Sequence, residues 1–264
     1  MIELRNVEVC FNRGTPIETR ALRGLSLLVR KGEFVTVIGT NGAGKSTLLN
    51  VLSGETTPHS GSVKIDGVDV TGARTHRRAT SVSRVFQDPL AGTCANLTVL
   101  ENLAIAYGRN RRRGLRSAMS STLRKLATER LAEVGLGLEK RLDDCIGLLS
   151  GGQRQVISLV MATLHPVTLL LLDEHTAALD PRTAELVMDL TKSVISEHGL
   201  TALMVTHSMR QALDFGDRTV MLHEGQVALD ISGTARECVD VPHLLKMFEK
   251  VRGEQVVDDA LLLG

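Results

Sequence analysis

The stretch Gly39-Thr40-Asn41-Gly42-Ala43-Gly44-Lys45-Ser46 has the pattern G-x-x-x-x-G-K-[ST]. It stands between the apolar run Phe34-Val35-Thr36-Val37-Ile38 and a helix-like continuation, Thr47-Leu48-Leu49-Asn50-Val51-Leu52. Strand, glycine-rich loop and helix in that order are the setting of a phosphate-binding loop, so the chain is expected to bind a nucleoside triphosphate. A phosphate chain needs backbone N–H donors at close range, and Gly39, Gly42 and Gly44 let the main chain curl around it without a Cβ in the way. The helix starting near Lys45 would aim its N-terminal amides and positive dipole end at the same anion. Lys45 adds a cation for the β and γ phosphates, and the Ser46 hydroxyl suits a Mg²⁺ ion.

Composition narrows the partners. The 264 residues carry 31 Lys and Arg against 30 Asp and Glu, so no broad cationic surface for nucleic acid is indicated. With no Trp, one Tyr and five Phe, base-stacking platforms are also not expected. Cys10, Cys94, Cys145 and Cys238 are widely spaced, form no metal-ligand pattern and read as reduced, mostly buried thiols of a cytosolic protein. The charged N-terminus lacks the apolar core of a signal peptide. The longest apolar stretch, 156–172, is interrupted by His165-Pro166 and falls short of the roughly 20 residues a membrane-spanning helix requires. The chain is not expected to cross a membrane by itself.

Along the chain, residues 2–9 and 25–29 and the run Ser62-Val63-Lys64-Ile65, followed by Asp66-Gly67, read as strands with turn chemistry between them. From about Leu97 to Leu164 the apolar spacing is helical, as in Val99, Leu100, Leu103 and Ala104, or Leu123, Leu126, Ala127, Leu131 and Val134. The run 168–172 then predicts a buried parallel strand that delivers Asp173 and Glu174 at its C-terminal edge. A helix over about 183–197, a strand over 201–206 ending at His207, and a further helix–strand unit follow. Such alternation implies an α/β sheet with ligands at the strand C-terminal ends.

Leu149-Ser150-Gly151-Gly152-Gln153 is a second sharp motif, at the start of an apolar helix that offers free amides to an anion. Taken with the octapeptide it makes the chain resemble the ATP-binding cassette (ABC) ATPases. Weaker pieces fall in that family's order: Gln87 in Val85-Phe86-Gln87-Asp88-Pro89, Asp173-Glu174, Ala178-Leu179-Asp180 and His207. The resemblance implies an α/β P-loop NTPase core sheet with an antiparallel β subdomain and a helical subdomain inserted at about 91–164. It also implies one cassette domain over 2–245, with 246–264 as a short tail.

The resemblance further implies the site. Gly39 to Thr47 and Gln87 would bind ATP, and Ser46, Gln87 and Asp173 would hold Mg²⁺. Glu174 would act as general base on the attacking water, with Lys45 and His207 completing the catalytic set. Phe11 lies where the family carries an aromatic that stacks on adenine, although a core Phe would look the same. The motif Leu149 to Gln153 would bind the ATP held by a partner chain in a head-to-tail homodimer, across whose interface Asp180 runs. Pro often occupies the position of His175 in the family, and no role for this His is legible.

Without a membrane span, a transport role requires separate transmembrane permease subunits and a periplasmic or lipoprotein substrate-binding protein. The chain would then sit in the cytoplasm, peripheral on the inner face of the membrane. The variant Asp173-Glu174-His175-Thr176-Ala177-Ala178-Leu179-Asp180-Pro181 resembles a branch of bacterial uptake systems sometimes linked to aromatic amino acids. A soluble ABC ATPase of the iron-sulfur cluster-building kind is the other reading. The run RNRRRGLR over 109–116 is either a solvated helix end or a contact with anionic headgroups or acidic permease loops.

Overall fold

The computed structural model describes residues 1–109 and 118–252. In chain order, the first segment holds β1 (Ile2–Phe11), β2 (Thr19–Val29), β3 (Phe34–Ile38), α1 (Lys45–Ser53), β4 (Ser60–Ile65), β5 (Val68–Asp69) and α2 (Thr75–Arg78). The second holds β6 (Val82–Val85), α3 (Val99–Tyr107), α4 (Ser121–Glu133), α5 (Gly151–Thr163), β7 (Leu169–Asp173) and α6 (Pro181–His198). The third holds β8 (Ala202–Val205), α7 (Met209–Asp214), β9 (Arg218–His223), β10 (Gln226–Ser232), α8 (Gly233–Glu237) and α9 (Val241–Arg252). Contacts divide the chain into two compact units. Met1–Arg78 with Gly199–Gly264 forms one, and Ala79–His198 forms the other.

In the first unit β1 pairs antiparallel with both β2 and β4, in the order β2-β1-β4-β5. Asp66 and Gly67, both at positive φ, make the tight turn between β4 and β5. Separately, β3 lies parallel to β8 on one side and to β9 on the other, with β10 antiparallel on β9. Every residue of β3 is buried, as befits a strand covered on both faces. Thr36, its one polar member, donates its hydroxyl to the Ala212 carbonyl at 2.9 Å.

The C-terminal end of α1 is held by Arg78, only 2% exposed, whose guanidinium donates to the carbonyls of Val51, Leu52, Val70 and Thr71. A cation there also opposes the negative end of the helix dipole. Ile38, Met209, Met221, Leu244 and Phe248 share a core. Phe248 is 1% exposed, so the core reaches past 246 at least to this residue of α9. The residues after 252 lie outside the described ones.

In the second unit β6 and β7 pair in parallel, Val82 to Val85 against Leu169 to Leu172. The helical stretch expected over 91–164 falls inside this unit, and its core joins Leu100 and Leu103 of α3, Leu123 and Leu131 of α4, and Val156 and Val160 of α5. Arg109, first of the basic run, turns inward. The residue is exposed overall, but its guanidinium donates to Ser83 Oγ at 2.9 Å and to the Met161 carbonyl at 2.6 Å, so its charge is tied to the protein. Residues 110–116 of that run lie outside the described ones.

The cysteines are corrected: Cys94 and Cys238 are exposed and Cys10 and Cys145 half-buried, all as free thiols. Cys94 sits on an irregular connection and Cys238 just past α8, where small side chains are left at the surface. Among the described residues no helix is long and apolar enough to cross a membrane.

Candidate active site

The octapeptide forms the connection from β3 to α1, and Lys45 opens the helix. Its ammonium is 6% exposed and donates to the carbonyls of Gly39 at 2.6 Å and Thr40 at 3.1 Å, which fixes the charge at the loop. Ser46 is exposed beside it and Thr47 half-buried. Gly44 has φ 102, and a Cβ there would stand 2.6 Å from the Ala21 carbonyl oxygen. The main chain can therefore lie this close to β2 only without a side chain.

A buttress that sequence reasoning missed holds the loop from behind. Glu224 and Gly225, both at positive φ, turn the chain from β9 to β10, and the Gly225 amide donates to the Ala43 carbonyl at 3.0 Å. The Gly225 carbonyl in turn accepts from Arg23, and Arg23 pairs with Glu224 at 2.8 Å. The only signal was the turn dipeptide itself, which does not say what the turn touches. Gly225→Ala would set a Cβ 2.6 Å from the Ala21 carbonyl oxygen in a left-handed backbone. Its expected cost is on the order of 2 kcal/mol of stability. Titration with a fluorescent ATP analogue is expected to show weaker binding, while a surface substitution such as Lys31→Ala changes neither.

Phe11 ends β1 with 41% of its surface exposed, so it is not a core residue. His207 follows β8 between two anchored neighbours. The Thr206 amide donates to the Val37 carbonyl of β3 at 3.1 Å, and Ser208 caps α7 by accepting from the Gln211 amide. Because β8 and β3 are parallel neighbours, His207 and the glycine-rich loop leave the same edge of this strand group.

In the second unit the parallel pair of β6 and β7 likewise brings Gln87, Asp173 and Glu174 to one edge. Gln87 is exposed, and the Phe86 carbonyl before it accepts from Nε2 of the fully buried Gln155 on α5 at 3.2 Å. Asp173 is ion-paired with Arg84 at 2.5 Å, with side chains 15% and 10% exposed, and the guanidinium carbon lies 4.9 Å from the Phe86 ring centroid. Sequence reasoning missed both Gln155 and Arg84. Their sequence signal was weak, since Ser83 stands beside Arg84 in β6 and Gln153, Arg154 and Ser158 share α5 with Gln155.

Glu174 leaves the extended conformation of the strand. It turns the chain with φ 45, and its carbonyl accepts from Ala177 at 2.9 Å. A left-handed conformation costs a residue with a side chain on the order of 1–2 kcal/mol and must be held by its surroundings. His175, 1% exposed, follows at once, with Nε2 3.0 Å from Thr191 Oγ1 on α6.

Burial pushes the His175 imidazole down to about 4 from its ordinary 6.5. The unfolded chain therefore takes up a proton at this residue before the native one does. The resulting stability is full above pH 6.5 and is lost as pH falls from there toward 4, on the order of 3 kcal/mol in all. Denaturant unfolding at pH 7 and pH 5 is expected to show this loss, and His175→Gln is expected to lessen it.

Ser150 caps α5 in a capping box: its Oγ accepts from the Gln153 amide at 3.3 Å, and Gln153 Oε1 accepts from the Ser150 amide at 3.1 Å. Gly151 and Gly152 then present the first helical amides, which have no acceptor within the helix. A Cβ on Gly152 would meet Thr183 Cγ2 at 2.1 Å, so α5 and the start of α6 approach through this glycine. Leu149 is buried beneath the motif. Asp180 caps α6, its carboxylate accepting from the Thr183 amide at 3.1 Å; hydrogen bonds from the Thr183 side chain and then its amide lower the Asp180 pKa.

The donor chemistry fits nucleotide and magnesium. Each of Ser46, Gln87 and Asp173 carries an oxygen donor, a hydroxyl, an amide and a carboxylate respectively, of the hard kind that Mg²⁺ takes. No cluster of three His, Cys, Asp or Glu able to hold a metal gathers among the described residues.

Comparison with known proteins agrees with this geometry. The profile of the family described as ABC transporter matches residues 22–177. The chain is 42% identical over 250 residues to the tyrosine transport ATP-binding protein of Clostridioides difficile (strain R20291), covering 94% of this chain and 99% of that one. It is 34% identical over 241 residues to the aliphatic sulfonates import ATP-binding protein SsuB of Escherichia coli (strain K12), covering 88% and 84%. Among solved structures, a dimer of the ATP-binding cassette MJ0796 in a post-hydrolysis state bound to ADP and Pi superposes with a TM-score of 0.75. It is 32% identical, covering 88% of this chain and 98% of that one.

The chain belongs to the ABC transporter family and is its ATP-binding, ATP-hydrolysing cassette, with the P-loop NTPase fold.

Proposed function

We propose that this chain powers a bacterial uptake system whose cargo is an aromatic amino acid, working through separate permease subunits and a substrate-binding protein at the inner face of the membrane. The match to the tyrosine transport ATP-binding protein over nearly the whole of both chains carries the cargo class. The span 2–245 is proposed to work as one cassette.

Two copies bind ATP head to tail, the loop of residues 39–46 in one copy facing Leu149 to Gln153 of the other, with Asp180 at the interface. Phe11 stacks on adenine, the loop amides and Lys45 hold the phosphates, and His207 contacts the γ-phosphate. Glu174 takes a proton from water as its oxygen attacks the γ-phosphorus, and the bond from that phosphorus to the β-bridging oxygen breaks to leave ADP and phosphate. Ser46, Gln87 and Asp173 would be the residues to hold Mg²⁺, which would supply charge neutralisation to the phosphates. The buried Arg84 pairs with the Asp173 carboxylate and holds it in place.

The test is reconstitution in proteoliposomes with the permease and binding protein encoded beside this chain. ATP-driven accumulation of radiolabelled tyrosine is expected. Transport of a different solute would overturn the cargo, and a genetic neighbourhood without any membrane-spanning partner would favour a soluble assembly ATPase.

A further inference from the structure

His175 stands where the catalytic strand has ended and the chain turns toward α6. Its ring is 1% exposed and Thr191, its partner, is fully buried. The Thr191 hydroxyl has one proton, and it goes to the Val187 carbonyl at 2.7 Å. Toward His175 the same oxygen can therefore only accept, so Nε2 carries the proton and donates to it across 3.0 Å. The contact is a directed tether from the residue after Glu174 to the middle of α6.

The rest of the connection is pinned as well. The Ala177 amide donates to the Glu174 carbonyl at 2.9 Å, the Leu179 amide to the Thr176 carbonyl at 3.1 Å, and Asp180 caps α6. Against this frame Glu174 sits at φ 45. A glutamate keeps such a conformation only where its surroundings impose it, and observed strain of this sort clusters at functional positions.

We propose that His175 is a positioning residue for Glu174, its imidazole anchored on Thr191 and holding the glutamate in the left-handed conformation that aims its carboxylate. The inference rests on the reading of Glu174 as general base. It gives a reason for a buried imidazole here: a ring of carbon alone would fill the space but would leave the turn free to relax.

The test is steady-state ATP hydrolysis and fluorescent-nucleotide binding by the full chain as wild type and as Thr191→Val, Thr191→Ser and Glu174→Gln. Thr191→Val keeps the shape and removes the acceptor. It is expected to lower kcat about tenfold or more while the KM for ATP and the nucleotide Kd stay within about twofold, since misplacing a catalytic group slows chemistry without touching binding. Thr191→Ser, which keeps the hydroxyl, is expected to restore kcat. If Thr191→Val does not fold, His175→Phe takes its place with the same expectation.

Unchanged kcat, a parallel rise in KM, or failure of the serine to rescue would overturn the proposal. Glu174→Gln separates the two ideas. If it hydrolyses ATP at the wild-type rate, the general-base reading fails. If it is inactive while Thr191→Val is normal, only the tether fails.

Discussion

Lys45→Ala is expected to abolish nucleotide binding and turnover together. Lys45 is buried, and its ammonium is held at the loop by the Gly39 and Thr40 carbonyls, which keeps a positive charge where the loop amides would bind a phosphate. Two opposite charges about 4 Å apart near a protein surface attract by about 4 kcal/mol, which sets a loss in affinity on the order of a thousandfold. Titration with a fluorescent ATP analogue and a phosphate-release assay measure the two losses, and thermal melting checks that the variant is folded. Binding within about fivefold of wild type would remove Lys45 from the phosphate site, since a charge at that range cannot be worth so little.

Glu174→Gln is expected to separate binding from chemistry. The amide has nearly the shape of the carboxylate and cannot take a proton, so hydrolysis should fall by a factor on the order of a hundred to a thousand while ATP affinity is retained. With hydrolysis stalled, the ATP-bound state should accumulate as a dimer, visible by light scattering coupled to size exclusion in MgATP. A variant that stayed monomeric in saturating MgATP would defeat the head-to-tail arrangement. The left-handed φ of residue 174 adds a control: Glu174→Gly should be as inactive as the Gln variant and yet lose little stability, because glycine adopts that conformation freely.

Much of the site could be read from residue order because its chemistry is local. A phosphate loop needs glycines, a lysine and a helix start within eight residues, and a capping box needs Ser150 and Gln153 three apart. The strands that deliver Asp173 and His207 announce themselves as short apolar runs. The same local logic failed where a side chain's role depends on what lies across the fold. Glu174 was expected at the C-terminal edge of the strand, but the strand ends one residue earlier and the chain turns at 174 with a positive φ. Phe11 was open between core and surface until β1 was seen to end in solvent. The tail was expected from 246, but α9 runs on and seats Phe248 in the core.

Nucleotide chemistry was therefore settled by spacing along the chain, since backbone amides, a cation and a helix terminus act on phosphate at a range of a few residues. How the parts are held was settled by folding. Arg84 and Asp173 are 89 residues apart, His175 and Thr191 are 16 apart, and Gly225 reaches Ala43 from another hairpin. No periodicity or motif encodes such pairs, because each arises only when strand pairing and helix packing bring distant segments to hydrogen-bond range. The octapeptide says what the loop binds. The turn behind it, the arginine paired with Asp173 and the histidine tethered to Thr191 of α6 decide how firmly the reacting groups are aimed.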